Sequence, residues 1–187
     1  MLLSLWALVG IALRFPHRPQ ARSAGSAVAS KPGSIPASAE DQREELATRL
    51  LDATRGAATV FAYHASFEKG RLAELAVAFP SLADALLDLS GRTVDLLPIV
   101  RDHVYHPEFH GSFSLKSVVP ALLPHLAHDD LEIASGDDAS SVLERLVLEP
   151  GSVAPEEREG LCRALRAYCE RDTLALVELL RWLSGAA

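Results

Sequence analysis

The sequence predicts an α/β protein rich in helix, with a sheet that looks underprovided. Three observations carry that expectation. The run Ala58-Thr59-Val60-Phe61-Ala62-Tyr63 is apolar enough for a strand buried on both faces. At least five segments repeat apolar residues at helical spacing. Beyond the first strand there are only weak strand signals, at the start of TVDLLPIV (93–100) and in LEIA (131–134).

Composition sets the bounds. The chain has 187 residues and is 49% apolar, enough for one domain with a core. A net charge of −7 and a pI near 5.5 argue against a general nucleic-acid coater, which needs a basic face. They leave room for a nuclease, whose carboxylates are offset by bound cations. Cys162 and Cys169 stand seven apart on one expected helix. Seven residues rise about 10 Å, beyond the roughly 7 Å Cα limit of a disulfide. Both read as buried thiols in a reducing cytoplasm.

The chain divides near residue 38. Residues 1–13 form an uncharged apolar start, short for a membrane span. Ala27-Val28-Ala29 has the form of a cleavage site, but no basic residue precedes the apolar run. Residues 14–38 hold four bases, no acid, and much Ala, Ser and Pro, the composition of a disordered linker. Removing those bases leaves 14 basic against 25 acidic residues in 39–187, the segment expected to fold. No stable membrane insertion is expected.

The elements follow in order. Ser38, with Asp41 in the capping-box position, starts a helix striped by Leu46, Leu50 and Leu51, and Gly56 ends it. The strand at 58–63 comes next. A helix from Phe67 to Phe79 turns Leu72, Leu75, Ala76 and Phe79 inward and stops at Pro80. SLADALLDLSGR is a second helix, closed by Gly91. TVDLLPIV starts as a short strand and turns helical or irregular at Pro98. HVYHPEFHGS reads as a loop. Ser114 caps LKSVVPALL, which Pro120 bends or shortens. GDDASSVLERLVL is a helix, and Pro155 opens a last one reaching about Leu183.

That last helix holds an anomaly. Its inward stripe runs Leu161, Leu165, Tyr168, position 172, Leu176, Leu179, Leu183, and position 172 is Asp. An aspartate in an apolar stripe is costly unless paired, hydrogen-bonded or bound to a cation. One reading has Asp172 capping a new segment from Thr173 or pairing with an Arg. Another makes it a ligand, with Tyr168 one turn earlier on the same face. Glu68, just past the strand, is likewise either a first-turn acid favoured by the helix dipole or a metal ligand.

These residues carry a resemblance. HASFEKGRL (64–72) resembles the second motif of the DnaQ-like, or DEDD, 3′–5′ exonucleases. YCERD (168–172) resembles their third motif in its tyrosine form. FEKGRLAELA, RTVDLLPIV, YHPEFHGSFSLKSVVPALLP, LEIASGDDA and YCERDTLALVELL make the run from about Glu44 to Leu183 similar to the C-terminal part of a bacterial family, domain of unknown function 2779. The resemblance implies a partial RNase H-like fold with its N-terminal core strands missing. It implies Glu68 and Asp172 as metal ligands for Mg²⁺ or Mn²⁺, with Tyr168 orienting the attacking water. Asp95 matches an acid frequent in the superfamily, and a structural role is its other reading. His64, Lys116 and Arg92 are the candidates for substrate contacts. A nucleic acid, a separate nuclease domain or another protein is the implied partner.

Two departures matter. His64 stands where the pattern usually has Asn. The first motif, a strand with Asp-x-Glu, is absent, and it would supply two of four ligands and the central strand. The chain is therefore expected to be a truncated or degenerate domain, inactive alone, with an interaction module as the alternative function. Five histidines lie in 103–128, but their spacing fits no metal motif, and they read as loop and surface residues. Asp129-Asp130 and Asp137-Asp138 read as caps and solvated turns. No Gly-rich phosphate loop and no nucleophile elbow occurs.

Overall fold

The computed structural model describes residues 43–127, 131–133, 135–149 and 151–185. The leader and linker, the Ser38–Asp41 cap, His128 and Asp129-Asp130 lie outside these residues.

The first helix, α1, spans Arg43–Ala53 and buries Ala47 and Leu50. Gly56 follows it with φ 72°, a conformation that costs glycine little. Strand β1 is Val60–Ala62, shorter than the expected 58–63. Helix α2 covers Ser66–Ala78, and a 3₁₀ turn at Pro80–Leu82 leads into α3, Ala83–Gly91. Strand β2, Thr93–Asp95, pairs with β1 in parallel, with Val60 opposite Thr93 and Ala62 opposite Asp95. The segment from β1 to β2 is thus a β-α-α-β crossover.

Helix α4, Leu96–His103, leaves β2 without a loop. Pro98 sits in its first turn, where a missing N–H costs nothing, so the segment is helical rather than irregular. A 3₁₀ turn, Pro107–Phe109, lies within the expected loop. Helix α5 is Leu115–Leu122 with Pro120 inside it, and it ends after eight residues. Helix α6 is Gly136–Leu148, and α7 is Pro155–Leu183. Among the described residues, 131–133 form no strand, although Ile133 is buried.

Strand alternation sorts the core. Val60 points to a cluster with Ala47, Leu50, Leu72, Leu75, Leu86 and Leu89 from α1, α2 and α3. Phe61 and Tyr63 point the other way, to Leu96, Leu176, Val177 and Leu180. The two strands therefore lie between a helical layer on one side and α7 on the other. Helix α7 joins several clusters. Its first half packs with α6 through Leu143, Leu146, Ala164 and Leu165. Its second half packs under α5 through Val118, Val119, Ala175 and Leu179. No helix among the described residues is long and apolar enough to cross a membrane.

Buried polar groups are tied locally. Thr54 and Thr93 donate their hydroxyls to the carbonyls of Leu50 and Leu89, at 2.9 and 2.7 Å. Arg92 Nη1 donates to the carbonyls of Thr54, at 3.2 Å, and Ala57, while Nε donates to Asp88 at 3.0 Å. This guanidinium holds the end of α1 and the α1–β1 turn against the end of α3. Each such charged bond contributes measurably because a carbonyl left unpaired in a half-buried position loses its water as well. Arg92→Ala is expected to lower unfolding stability by about 2 kcal/mol, while the exposed Lys116→Ala changes it by less than about 0.5 kcal/mol. Urea unfolding checks both. Equal effects would refute the tie.

Candidate functional site

The site is built at the C-terminal ends of the two parallel strands. β1 ends at Ala62, and the chain turns through Tyr63, His64 and Ala65 into α2. His64 has φ 66°, in the left-handed region. Among residues with a Cβ, Asn, Asp and His tolerate this region best. The conformation gives His64 a backbone reason to occupy this position. The His64 imidazole is exposed.

What holds this turn comes from the other strand. Asp95, the last residue of β2, accepts from the backbone N–H groups of His64 at 2.8 Å and Ala65 at 2.9 Å. Its Oδ1 also accepts from Leu97 N–H at 3.0 Å, capping α4. Ala65, at the N-cap of α2, has no side chain able to cap it, and Asp95 satisfies its N–H from across the sheet.

Glu68 lies in the first turn of α2. Its Oε2 is buried and has no hydrogen-bond partner. Burial pushes its carboxyl above the usual range, and the Asp95 charge adds to the rise. A bond from its own backbone N–H and the nearby His64 pull the other way. The next turn holds Arg71, whose guanidinium lies 5.4 Å from the Phe67 ring centroid and pairs with Glu74.

The second part of the site is on α7, which runs unbroken through position 172. Asp172 therefore does not begin a new segment at Thr173, whose hydroxyl donates back to the Cys169 carbonyl at 2.8 Å. Asp172 is half-buried. Tyr168 donates a hydrogen bond to it, and burial together with the Asp172 charge raises the phenol's pKa. Cys169 is pushed up to about 12 by burial and by the charges of Asp172 and Glu170, so it remains a thiol at neutral pH. Both cysteines are free and half-buried rather than fully buried.

Asp172 occupies a junction. Tyr168, one turn before it, packs on the α6–α7 cluster, and Leu176, one turn after it, packs in the cluster under β1. The stripe is thus interrupted where one core gives way to another. Tyr63, immediately before His64, lies in the same cluster as Leu176. Its hydroxyl donates to the Phe113 carbonyl at 2.7 Å, and burial, with Asp95, pushes it up to about 12.

The remaining candidates lie apart. Lys116 is exposed in the first turn of α5. Arg92 precedes β2 and is engaged with backbone carbonyls. His106 accepts at Nδ1 from Glu108 N–H at 3.3 Å, a turn-forming role. Asp137 and Asp138 do sit in the first turn of α6, where Ser135 is the cap. The structural alternative for Asp95 is the one its three backbone contacts fit, although the sequence does not show where the donors come from.

The donors bear on the cation that the resemblance implies. Glu68 Oε2, a carboxylate oxygen with no donor, suits a cation. Among the described residues, however, no group of three or more His, Cys, Asp or Glu side chains is arranged to hold a metal ion.

The architecture is that of a helix-rich α/β protein built around a two-stranded parallel sheet. Residues 22–114 match the model of the family described as Domain of unknown function (DUF2779), which supports that family over just under half of the chain. The matched segment holds His64, Glu68, Arg92 and Asp95, begins inside the expected linker, and ends before Lys116, Tyr168 and Asp172. No curated protein and no solved structure matches the chain.

Two outcomes follow from this geometry. Replacing His64 by glycine removes the cost of a side chain at positive φ and is expected to stabilise by up to about 1 kcal/mol, whereas His64→Val costs at least that much. Thermal unfolding of both variants measures it. Glu68 is bound more tightly to its proton in the folded state than in the unfolded one, so its ionised form costs stability at neutral pH. That cost is relieved as pH falls through the raised folded pKa toward the unfolded value. Glu68→Gln is expected to be more stable than the parent at pH 7, with the difference vanishing below about pH 4. A pH-independent difference would contradict the burial of this carboxylate.

Proposed function

We propose that the chain is a truncated or degenerate member of the metal-dependent, nuclease-like RNase H-like domains, in the manner of the DnaQ-like 3′–5′ exonucleases. The complete form would act on nucleic-acid phosphodiesters, and this chain is inactive alone. One observation carries the reading. The exit of β1, which leads to Glu68, and the turn of α7 that follows Asp172 pack in one cluster through Tyr63 and Leu176. That cluster links the segment before Glu68 to the segment after Asp172, two acids 104 positions apart in the sequence, although α2 and α7 themselves cover opposite faces of the sheet.

Their roles follow from charge and exposure. Glu68 offers an oxygen free of donors at the sheet end. Asp172, held by Tyr168, offers the second carboxylate, and the Tyr168 phenol stays protonated to donate. His64, exposed beside Glu68, is the proposed contact to phosphate, whereas Lys116 and Arg92 lie apart from this strand end. Mg²⁺ or Mn²⁺ is the proposed cation. With no Asp-x-Glu pair, the ligands are too few to hold two ions against water.

A second reading, of a non-catalytic module that binds a protein or nucleic-acid partner, is favoured by the apolar side chains on the outer faces of α2 and α3. Val77 is 83% exposed, Leu87 53% and Phe67 45%.

Substoichiometric Mn²⁺ added to the ¹⁵N-labelled chain distinguishes the readings. The nuclease-like reading expects amides around Glu68 and around Asp172 to broaden together, and Glu68→Gln to reduce both. Broadening at one that is indifferent to substitution at the other would contradict a shared cation site. Incubation with Mg²⁺ and end-labelled single-stranded DNA or RNA is expected to give no cleavage. Robust cleavage abolished by Asp172→Asn would show that this chain is an active enzyme.

A further inference from the structure

We propose that Asp95 is the positioning residue of Glu68: its carboxylate holds the positive-φ turn at His64 and thereby fixes where α2 leaves the sheet. The inference deepens the reading above and rests on it only for what Glu68 does.

The argument begins with the turn. A left-handed residue with a Cβ persists only where its surroundings over-determine it. His64 is in that conformation, and its own backbone N–H points to Asp95 Oδ1. The next N–H, of Ala65, points to Oδ2. Two consecutive amides thus grip the two oxygens of one carboxylate, and such charge-assisted bonds are about twice as strong as neutral ones. The grip continues into α2. Phe67 N–H donates to the His64 carbonyl at 3.2 Å, and Lys69 N–H to the Ala65 carbonyl at 2.9 Å. Glu68 lies between these two donors. Moving the His64–Ala65 peptide therefore moves the turn that carries Glu68.

Asp95 is well placed for this task. It is fixed in register opposite Ala62 by the strand pairing, and its Oδ1 is also anchored by Leu97 N–H. Its two oxygens already accept three N–H bonds, which engages most of the carboxylate's acceptor capacity in the turn and the α4 cap.

A double-mutant cycle separates positioning from simple capping of α4. If Asp95 acts on the turn, glycine at position 64, which needs no holding, makes its loss cheaper. Asp95→Ala is expected to raise the unfolding constant roughly 30-fold in the parent and roughly fivefold in the His64→Gly background, the remainder being the α4 cap. Amide exchange at Phe67 and Lys69 is expected to quicken in Asp95→Asn and to return toward the parent rate when Asp95→Asn is combined with His64→Gly. Asparagine keeps an acceptor for His64 and Leu97 but presents a donor to Ala65, so this milder variant carries the cycle if Asp95→Ala does not fold. Equal factors in both backgrounds, with unchanged exchange at Phe67 and Lys69, would overturn the proposal. The cycle uses neither metal nor nucleic acid. It therefore fails or succeeds independently of the Mn²⁺ pattern that tests the nuclease-like reading.

Discussion

One carboxylate joins the two strand ends on which the site stands. Asp95 accepts from His64, Ala65 and Leu97, and so it holds the turn into α2 from across the sheet and caps α4 from within its own strand. A sheet of two short strands offers few ladder bonds, and an isolated two-stranded pair is marginal in water. Concentrating three bonds on one charged group at the sheet's end compensates locally. It also places negative charge near Glu68, which burial already resists ionising. The support that builds the turn thus adds to what makes Glu68 hard to charge.

The two faces of the sheet are held by different means. On one side, leucines of α1, α2 and α3 close over Val60, and Arg92 ties the turn before β1 to the end of α3. On the other side a single helix, α7, takes over from the α6 cluster and reaches the sheet with Leu176 and Leu180. Asp172 and Tyr168 stand where that helix passes from one core to the next. The charge of Asp172 is met there by the Tyr168 hydroxyl. Val94, beside Phe61 on this face, remains 38% exposed, so α7 covers the β1 side more fully than the β2 side.

Much of this is legible in the residues. The α2 stripe of Leu72, Leu75 and Ala76, the stop at Pro80 and the stripe of α7 follow from apolar spacing and proline chemistry, and all three are as expected. The strand at 58–63 is placed but overlong, because hydrophobic runs do not reveal how many residues find a ladder partner. LEIA shows the same weakness, being apolar and partly buried without forming a strand among the described residues. At Pro98 the sequence leaves helix and irregular structure both open, because apolar spacing does not show that the proline falls in a first turn, and the segment is helical. The candidate acids are legible only as anomalies. Asp172 breaks the rule that acids avoid apolar stripes and Glu68 stands out only by its place just past a strand, whereas Asp95 breaks no rule and its donors come from residues as distant as 31 positions. Such long-range bonds leave no periodic trace.

The most direct test of this account is scalar coupling across hydrogen bonds, measured on the isotopically labelled full chain. The account predicts couplings from the amide nitrogens of His64, Ala65 and Leu97 to the Asp95 carboxylate carbon, together with a positive φ at His64. Absence of the His64 and Ala65 couplings, with an ordinary negative φ at His64, would contradict it.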